Sequence, residues 1–203
     1  MVSITGVLSL LVSPDFPLWL EAPVSAFLSC LLALGIVLIG IGLGWRLLNL
    51  LRIQPATGGE RIVLAGGLGL GGLSYSFLTL GLIGLLRPWA VFVILVLAAV
   101  CSWSPLKHWL TRWRGKAADL SVPGLFVRLG VTLTGVMVLI VLVRGLAPVT
   151  DYDGLAYHLV VPRNYLRAGR ILPYPGIAHF NFPLTVDLLY VPPILLGLEN
   201  AAQ

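Results

Sequence analysis

Charged residues and histidines cluster in one short polar stretch of this chain, residues 151–183. These 33 positions hold two of the eight acidic residues, three of the thirteen basic residues and two of the three histidines. Asp151 and Asp153 open the stretch, two positions apart. Two carboxylates at this spacing can bind a divalent cation, or one can act as general base on an acceptor hydroxyl while the other orients it. We therefore predict that Asp153 and Asp151 are the catalytic residues.

The same two aspartates also have a purely structural interpretation. The pattern over residues 155–167 predicts a helix, and an aspartate just before a helix accepts hydrogen bonds from the free N–H groups of its first turn. A helix cap and a catalyst are compatible roles, so both stay open for Asp151 and Asp153. The sequence leaves the metal and any cofactor unknown, with a divalent cation as the candidate.

Side chains suited to substrate binding follow at helical spacing. Tyr157 stands four residues after Asp153, and Asn164 and Arg167 are expected on the same face of a helix lying along the membrane surface. Pro162 is expected to kink that helix.

Arginines and histidines complete the candidate site. Arg163, Arg167 and Arg170 can hold a phosphate group with their planar donor forks, or can contact anionic head groups. His158 and His179 have no partner at metal-ligand spacing, so ordinary hydrogen bonds are the expected role for both. The predicted substrate-binding residues are Tyr157, His158, Arg163, Arg167 and His179.

The composition excludes a water-soluble globule. The 203 residues are 58% hydrophobic and only 10% charged, against roughly 25% charged in soluble domains. Several uncharged runs approach or exceed the ~20 residues that cross a ~30 Å hydrocarbon core. The predicted fold class is all-α: a polytopic transmembrane helical bundle with an extracytoplasmic loop that bears a short amphipathic helix.

The uncharged runs predict the domain organisation. Spans one to three are expected at residues 22–45, 62–86 and 88–106. A fourth lies between Arg128 and Arg144, and a fifth begins near residue 188 and is cut short. The predicted divisions are an interfacial segment (1–22), a three-span membrane module (23–106), a basic and aromatic cytoplasmic linker (107–124), and the start of a second module (125–203).

Loop charges predict the orientation. Eight basic residues fall on one side of the predicted bundle, and the positive-inside rule places that side in the cytoplasm. Loop 147–187 is then extracytoplasmic in a multi-pass protein of the cell membrane. The rule also explains the net charge of +5 without nucleic acid, which we do not expect as a partner. The eight residues are Arg46, Arg52, Arg61, Lys107, Arg112, Arg114, Lys116 and Arg128.

Two further patterns stand outside the polar stretch. The glycines at residues 40–44 and 67–71 match the small-xxx-small pattern, which lets transmembrane helices approach closely. Trp103 to Lys116 interleaves tryptophan with basic residues. Such a segment can bind an anionic lipid or a pyrophosphate, although it more often anchors a helix at the membrane surface.

The polar stretch resembles the GT-C class of integral-membrane glycosyltransferases, in particular protein O-mannosyltransferases and lipid A aminoarabinose transferases. Those proteins carry an Asp-Glu-x-x-Tyr type motif after a transmembrane helix, then a small amphipathic helix ending near glycine, then a proline-containing start of the next span. Residues 153–157 resemble the first feature, residues 165–171 the second, and residues 181–202 the third. The glutamate of the motif is replaced here by Gly154, and Asp151 stands two positions before Asp153.

The resemblance, which covers residues 126–203, implies a function and a set of partners. The chain would be the N-terminal part of a glycosyltransferase that moves a sugar from a polyprenyl-phosphate donor to an extracytoplasmic acceptor. Asp153 would take the position of the family's catalytic base, and a nearby arginine would stabilise the departing phosphate. Family members have more spans than these residues provide, so we expect this fragment to be inactive alone and to need further helices or a partner subunit.

Two other functions compete with the enzyme. A non-catalytic membrane scaffold would use the aspartates only as caps and the glycine faces to bind other helices. A transporter predicts ionisable residues inside the spans, but no acidic residue lies in the first four predicted spans. Membrane lipid is an expected partner of the chain in each case.

Overall fold

The computed structural model describes residues 18–55, 57–113, 124–145, 152–174 and 185–199. These residues are helical apart from short connections, and none of them forms a strand. The prediction of an all-α fold is therefore confirmed.

Three long helices form the body of the protein. They are α1 (Leu18–Leu50), α2 (Gly58–Leu82) and α3 (Pro88–Trp113). Each contains an apolar stretch of at least 22 residues, long enough to cross a membrane. Three of the predicted spans are thus present, and the chain is a membrane protein by the length and composition of these helices.

The ends of α2 differ from the predicted span at 62–86. The helix begins earlier because the Thr57 side chain accepts a hydrogen bond from the Glu60 N–H at 3.1 Å, as in a capping box. It ends at Leu82, and Gly84 then turns the chain at a φ of +78°, a conformation that glycine adopts without steric conflict. The connection to α3 is therefore a short turn, as the sequence predicts for a helical hairpin.

Helix α4 (Leu125–Gly145) occupies the fourth predicted span. Its side chains are exposed wherever the structure describes them. The apolar stretch Leu125–Val141 is shorter than the three above, so the crossing of the membrane by α4 stays a prediction.

The polar stretch and the predicted fifth span form short elements. A single π-helical turn (Gly154–His158) precedes α5 (Val160–Ala168), and a 3₁₀ helix (Val186–Tyr190) leads into α6 (Val191–Leu196). The sequence predicts the start of a fifth span near residue 188, cut short after 11 apolar residues. In the structure, residues 188–196 belong to the 3₁₀ helix and to α6, which ends where Gly197 adopts the left-handed conformation at a φ of +70°.

Glycines allow α1 and α2 to pack backbone against backbone. A Cβ atom added to Gly69 would lie 1.7 Å from the Gly40 carbonyl oxygen, and one added to Gly44 would lie 1.8 Å from the Ala65 carbonyl oxygen. The packing role predicted for the glycines at residues 40–44 is confirmed, whereas the one predicted for the pair Gly67 and Gly71 is wrong within this chain. Within the second pattern the close contact belongs to Gly69, because Gly67 and Gly71 face open space.

Helix α1 is central, since α2 and α3 each pack mainly against it. The 3₁₀ helix packs on α2, and α6 contacts α3. One hydrophobic core therefore joins the three long helices to the short elements of the polar stretch. The buried members of this core are Ile36, Leu73, Phe77, Leu86, Val91, Ala98, Val161, Tyr165, Leu188 and Val191.

The glycine crossing gives a test of the fold. Gly69→Ala forces a Cβ against the Gly40 backbone, which has no flexible side chain to move aside. We expect it to destabilise the protein by about 1–3 kcal/mol, the usual effect of overpacking. Thermal unfolding of the detergent-solubilised protein measures the effect. Gly67→Ala is the matched control, because its added methyl meets open space, and equal melting temperatures for the two variants would contradict the crossing.

Candidate functional site

The polar stretch is attached to the turn between α2 and α3. The Leu86 N–H donates to the Gly169 carbonyl at 3.0 Å, and the Ile171 N–H donates to the Gly81 carbonyl at 2.9 Å. Gly169 ends α5 with a φ of +70°, and the exposed Arg87 side chain lies across it. The candidate site therefore lies at the Arg87 end of the three-helix body, opposite the end that carries the basic connection between α1 and α2.

Helix α5 is amphipathic, as the sequence predicts. Its buried side chains, Val161, Pro162 and Tyr165, lie on one face, and Val161 and Tyr165 join the shared core. Arg167 on the other side is exposed. The apolar face anchors α5 on the membrane helices, and its polar side chains remain accessible to water.

The turn before α5 is wider than an α-helical turn. The Leu159 N–H donates to the Gly154 carbonyl five residues back, at 3.1 Å, which is the π-helical pattern. Pro162 has no N–H to donate to the His158 carbonyl, and its ring would clash with that carbonyl in a regular helix. The α-helical pattern returns with Arg163, which donates to the Leu159 carbonyl.

The wide turn corrects one prediction. We expected Asp153, Tyr157, Asn164 and Arg167 on one face of a continuous helix. The extra residue in the turn shifts the helical phase by about 100°, so Asp153 and Tyr157 do not continue the face of α5. In the structure, Asp153 is exposed, whereas Tyr157 is half-buried and packs against the core.

His158 forms the best-defined polar contact of the site. Its Nδ1 lies 2.8 Å from the Oδ2 of Asp187, which is carried by the 3₁₀ helix. The Asp187 side chain is only 6% exposed, and that of His158 is 36% exposed. A carboxylate on one imidazole nitrogen fixes the ring orientation and leaves Nε2 as the second polar atom. The hydrogen bond expected for His158 is therefore present.

Asp187 is held deep against α2. Next to it, the Ser74 hydroxyl donates to the Thr185 carbonyl, and Ser74 lies eight residues, about 12 Å of helix, before the end of α2. Burial raises the pKa of the Asp187 carboxyl, and the hydrogen bond and charge of His158 oppose that shift. Asp187 is thus a buried acid that depends on His158 as its partner.

Asp153, the predicted catalytic residue, is exposed at the start of the π-helical turn. Its side chain makes no capping hydrogen bond. Asp151 and His179, also predicted as site residues, lie outside the described residues. Within the described part of the chain, no three histidine, cysteine or acidic residues lie close enough together to hold a metal ion.

The three arginines have different environments. Arg163 forms an ion pair with Glu199, and both side chains are about one-third exposed. Binding of a phosphate by Arg163 stays a prediction, and such a ligand would compete with Glu199 for the guanidinium group. Arg167 and Arg170 are exposed on either side of Gly169, the residue that the Arg87 side chain lies across. Among the described residues at this end, Arg87, Arg167 and Arg170 are exposed cations that suit an anionic ligand.

Sequence reasoning missed Asp187 and Glu199. Both stand in or beside the apolar run at residues 186–198, and an acidic residue at the edge of such a run is a signal that it packs against a polar partner. The identity of that partner depends on the fold, because His158 is 29 residues away in the chain and Arg163 is 36 residues away.

A scan against protein-family models found no match to this chain, and searches of curated proteins and of solved structures found none either.

The His158–Asp187 pair gives a test with a defined pH dependence. His158→Ala leaves a buried carboxylate without its partner, so we expect a loss of about 2 kcal/mol of stability near neutral pH. A group with a raised folded-state pKa contributes stability that is present below its unfolded pKa and is lost as the pH rises through the folded pKa. The stability deficit of the variant should therefore grow as the pH rises above about 4, the ordinary pKa of an aspartate.

Thermal unfolding across this pH range measures the effect. The double variant His158→Ala/Asp187→Asn is the control, because it lacks the titrating carboxyl and should show a flatter deficit. If His158→Ala loses the same amount of stability at every pH, the buried Asp187 carboxylate is not the cause of that loss.

Proposed function

We propose that this chain is the N-terminal part of a membrane glycosyltransferase of the GT-C type. It takes part in the transfer of a sugar from a polyprenyl-phosphate donor to an extracytoplasmic acceptor. The proposal starts from the resemblance of residues 126–203 to that class. Asp153 deprotonates the acceptor hydroxyl, and the arginines at the same end of the protein bind the phosphate of the donor.

The exposed Asp153 carboxylate is the observation that carries the proposal. It stands at the start of a π-helical turn, a feature frequent at functional sites, and its side chain makes no capping hydrogen bond. The structural role as a helix cap therefore has no support for Asp153. The following elements are firmly anchored by buried side chains and by the His158–Asp187 contact, so the carboxylate is exposed on a rigid support.

The phosphate of the donor would meet three exposed cations. Arg87 lies across Gly169, Arg170 is the next residue, and Arg167 lies on the last turn of α5. Guanidinium groups bind phosphate oxygens through paired hydrogen bonds. They also stabilise the negative charge that develops on a departing phosphate.

The proposed reaction is a direct substitution at the anomeric carbon of the sugar. Asp153 accepts the proton of the acceptor hydroxyl as the acceptor oxygen bonds to this carbon. The bond from the carbon to the phosphate oxygen breaks, and the polyprenyl phosphate leaves with the electron pair. The arginines hold the leaving phosphate.

The proposed reaction takes place on the extracytoplasmic side of the membrane and needs a lipid-linked donor and further helices. Loop 147–187 faces the extracytoplasmic side of the cell membrane, as the loop charges predict. The donor is a lipid-linked sugar held by further helices of a longer chain or of a partner subunit. Helix α4 supports this arrangement, because its described side chains are all exposed, as in a helix that faces lipid or other helices.

A non-catalytic scaffold is the second candidate function. The exposed α4 is the observation that favours it, since such a helix suits assembly with another membrane protein. Gly40, Gly44 and Gly69 do not add to it, because they pack within the chain. Gly67 and Gly71 face open space, so this side of α2 also suits contact with a partner helix.

Replacement of Asp153 tests the proposed function. If Asp153 is the general base, Asp153→Asn should lower the rate of sugar transfer by about 10²–10⁴-fold, the usual contribution of such a group. The measurement uses membranes from cells that express the whole gene product, supplied with a radiolabelled polyprenyl-phosphate sugar. Transferred label is counted after extraction of the lipid donor.

Glu60→Gln is the matched control, because it removes a carboxylate at the opposite end of α2 and should leave the rate unchanged. Immunoblotting confirms equal amounts of each variant in the membrane. Transfer that depends on the gene but is as fast in Asp153→Asn as in the control would exclude Asp153 as the base. Absence of any gene-dependent transfer would favour the scaffold.

A further inference from the structure

A cavity of about 810 Å³ lies at the end of the three-helix body opposite the candidate active site. It is formed by the end of α1, the start of α2 and the end of α3. The cationic or aromatic side chains that line it are Trp45, Arg46, Arg61, His108 and Trp109. No acidic residue is among the described residues that line it.

Two buried hydrogen-bond donors of this cavity have no partner in the described part of the chain. They are the indole N–H of Trp45 and the Nε–H of Arg61. Trp45 is only 8% exposed. A buried donor without an acceptor costs about 1–3 kcal/mol, so a pair of them beside one cavity indicates a ligand that brings acceptor oxygens.

Arg46 is positioned by a proline in α3. Pro105 has no N–H for the carbonyl of Cys101, four residues earlier, and that carbonyl accepts a hydrogen bond from Arg46 Nε instead. This bond uses one of the five donors of the guanidinium group. The four N–H donors of its terminal nitrogens remain for a ligand.

The start of α2 adds a further positive contribution. Gly58 and Gly59 lie in the first turn of this 25-residue helix and line the cavity, and the N–H groups of a helix start favour anions. The Glu60 carboxylate in the same turn offsets part of this contribution. A neighbouring hollow of about 430 Å³ shares Asn49 and Arg61 with the cavity and adds Arg52. Arg52 and Arg61 thus extend the positive charge from the cavity into this neighbouring hollow.

We propose that this cavity binds a phosphate-bearing anion. Arg46 and Arg61 hold the phosphate oxygens, and the Trp45 indole donates to one of them. The rings of Trp45 and Trp109 lie 5.9 Å apart and provide an apolar wall for the rest of the ligand. The phosphate belongs either to the head group of an anionic lipid or to a soluble phosphate compound, and the site is independent of the proposed transferase.

Native mass spectrometry of the full chain in detergent tests the proposal. The probes are phosphatidylglycerol, diacylglycerol with the same acyl chains, and inorganic pyrophosphate. We expect binding of a phosphate-bearing probe and none of diacylglycerol. Arg61→Gln and Trp45→Phe should each weaken that binding about tenfold, since each removes a hydrogen bond to a charged group.

Two exposed residues outside the cavity supply matched controls. Arg144→Gln and Trp89→Phe make the same chemical changes at exposed positions and should leave binding unchanged. Circular dichroism confirms that each variant is folded. Trp45→Phe keeps an aromatic ring in place, so it decides the question if Arg61→Gln does not fold.

The probes distinguish the sources of the phosphate. Binding of phosphatidylglycerol alone, weakened in both cavity variants, supports an anionic lipid. Binding of pyrophosphate with the same dependence supports a soluble phosphate compound. Failure of both probes to bind, or binding that is weakened no more in the cavity variants than in the controls, would overturn the proposal.

Discussion

Two backbone hydrogen bonds, from Leu86 to Gly169 and from Ile171 to Gly81, determine where the polar stretch lies. They join the end of α5 to the turn between α2 and α3, where the chain leaves helical geometry and its backbone groups need partners other than lipid. The turn supplies the Leu86 N–H and the Gly81 carbonyl, and the end of α5 supplies the Gly169 carbonyl and the Ile171 N–H, so each segment satisfies backbone groups of the other. The attachment places α5 on the three-helix body, and the positions of Asp153, His158 and the exposed arginines follow from it.

The short elements are part of the core of the protein. Leu188 and Val191 are buried with residues of all three long helices, so the 3₁₀ helix and α6 stabilise the bundle as well as the site. This explains how Asp187 can be buried while Asp153, in the same polar stretch, is exposed. A buried carboxylate with a histidine partner suits a positioning role. An exposed carboxylate can exchange protons with a substrate, which is the role proposed for Asp153.

The long helices could be predicted because membrane spans depend on local composition, and uncharged runs mark them directly. The ends of these helices are harder to predict from the sequence. The Thr57–Glu60 cap was overlooked, although its spacing is a recognisable start signal. The face of α5 was misplaced because Pro162 changes the turn before it, and a helical repeat assumes a regular turn. The His158–Asp187 and Arg163–Glu199 contacts could not be predicted, since residues far apart in the chain meet only when the 3₁₀ helix and α6 pack beside α5.

Proline has a similar effect at both ends of the protein. Pro105 deprives the Cys101 carbonyl of its helical partner, and Arg46 satisfies it from another helix. Pro162 does the same to the His158 carbonyl, and the preceding turn widens. In each case a residue without an N–H disturbs one turn of a helix, and a side chain with a polar function is positioned there. Helix α2, 25 residues or about 38 Å long, connects the two ends, so one rigid element relates the cationic cavity to the candidate active site.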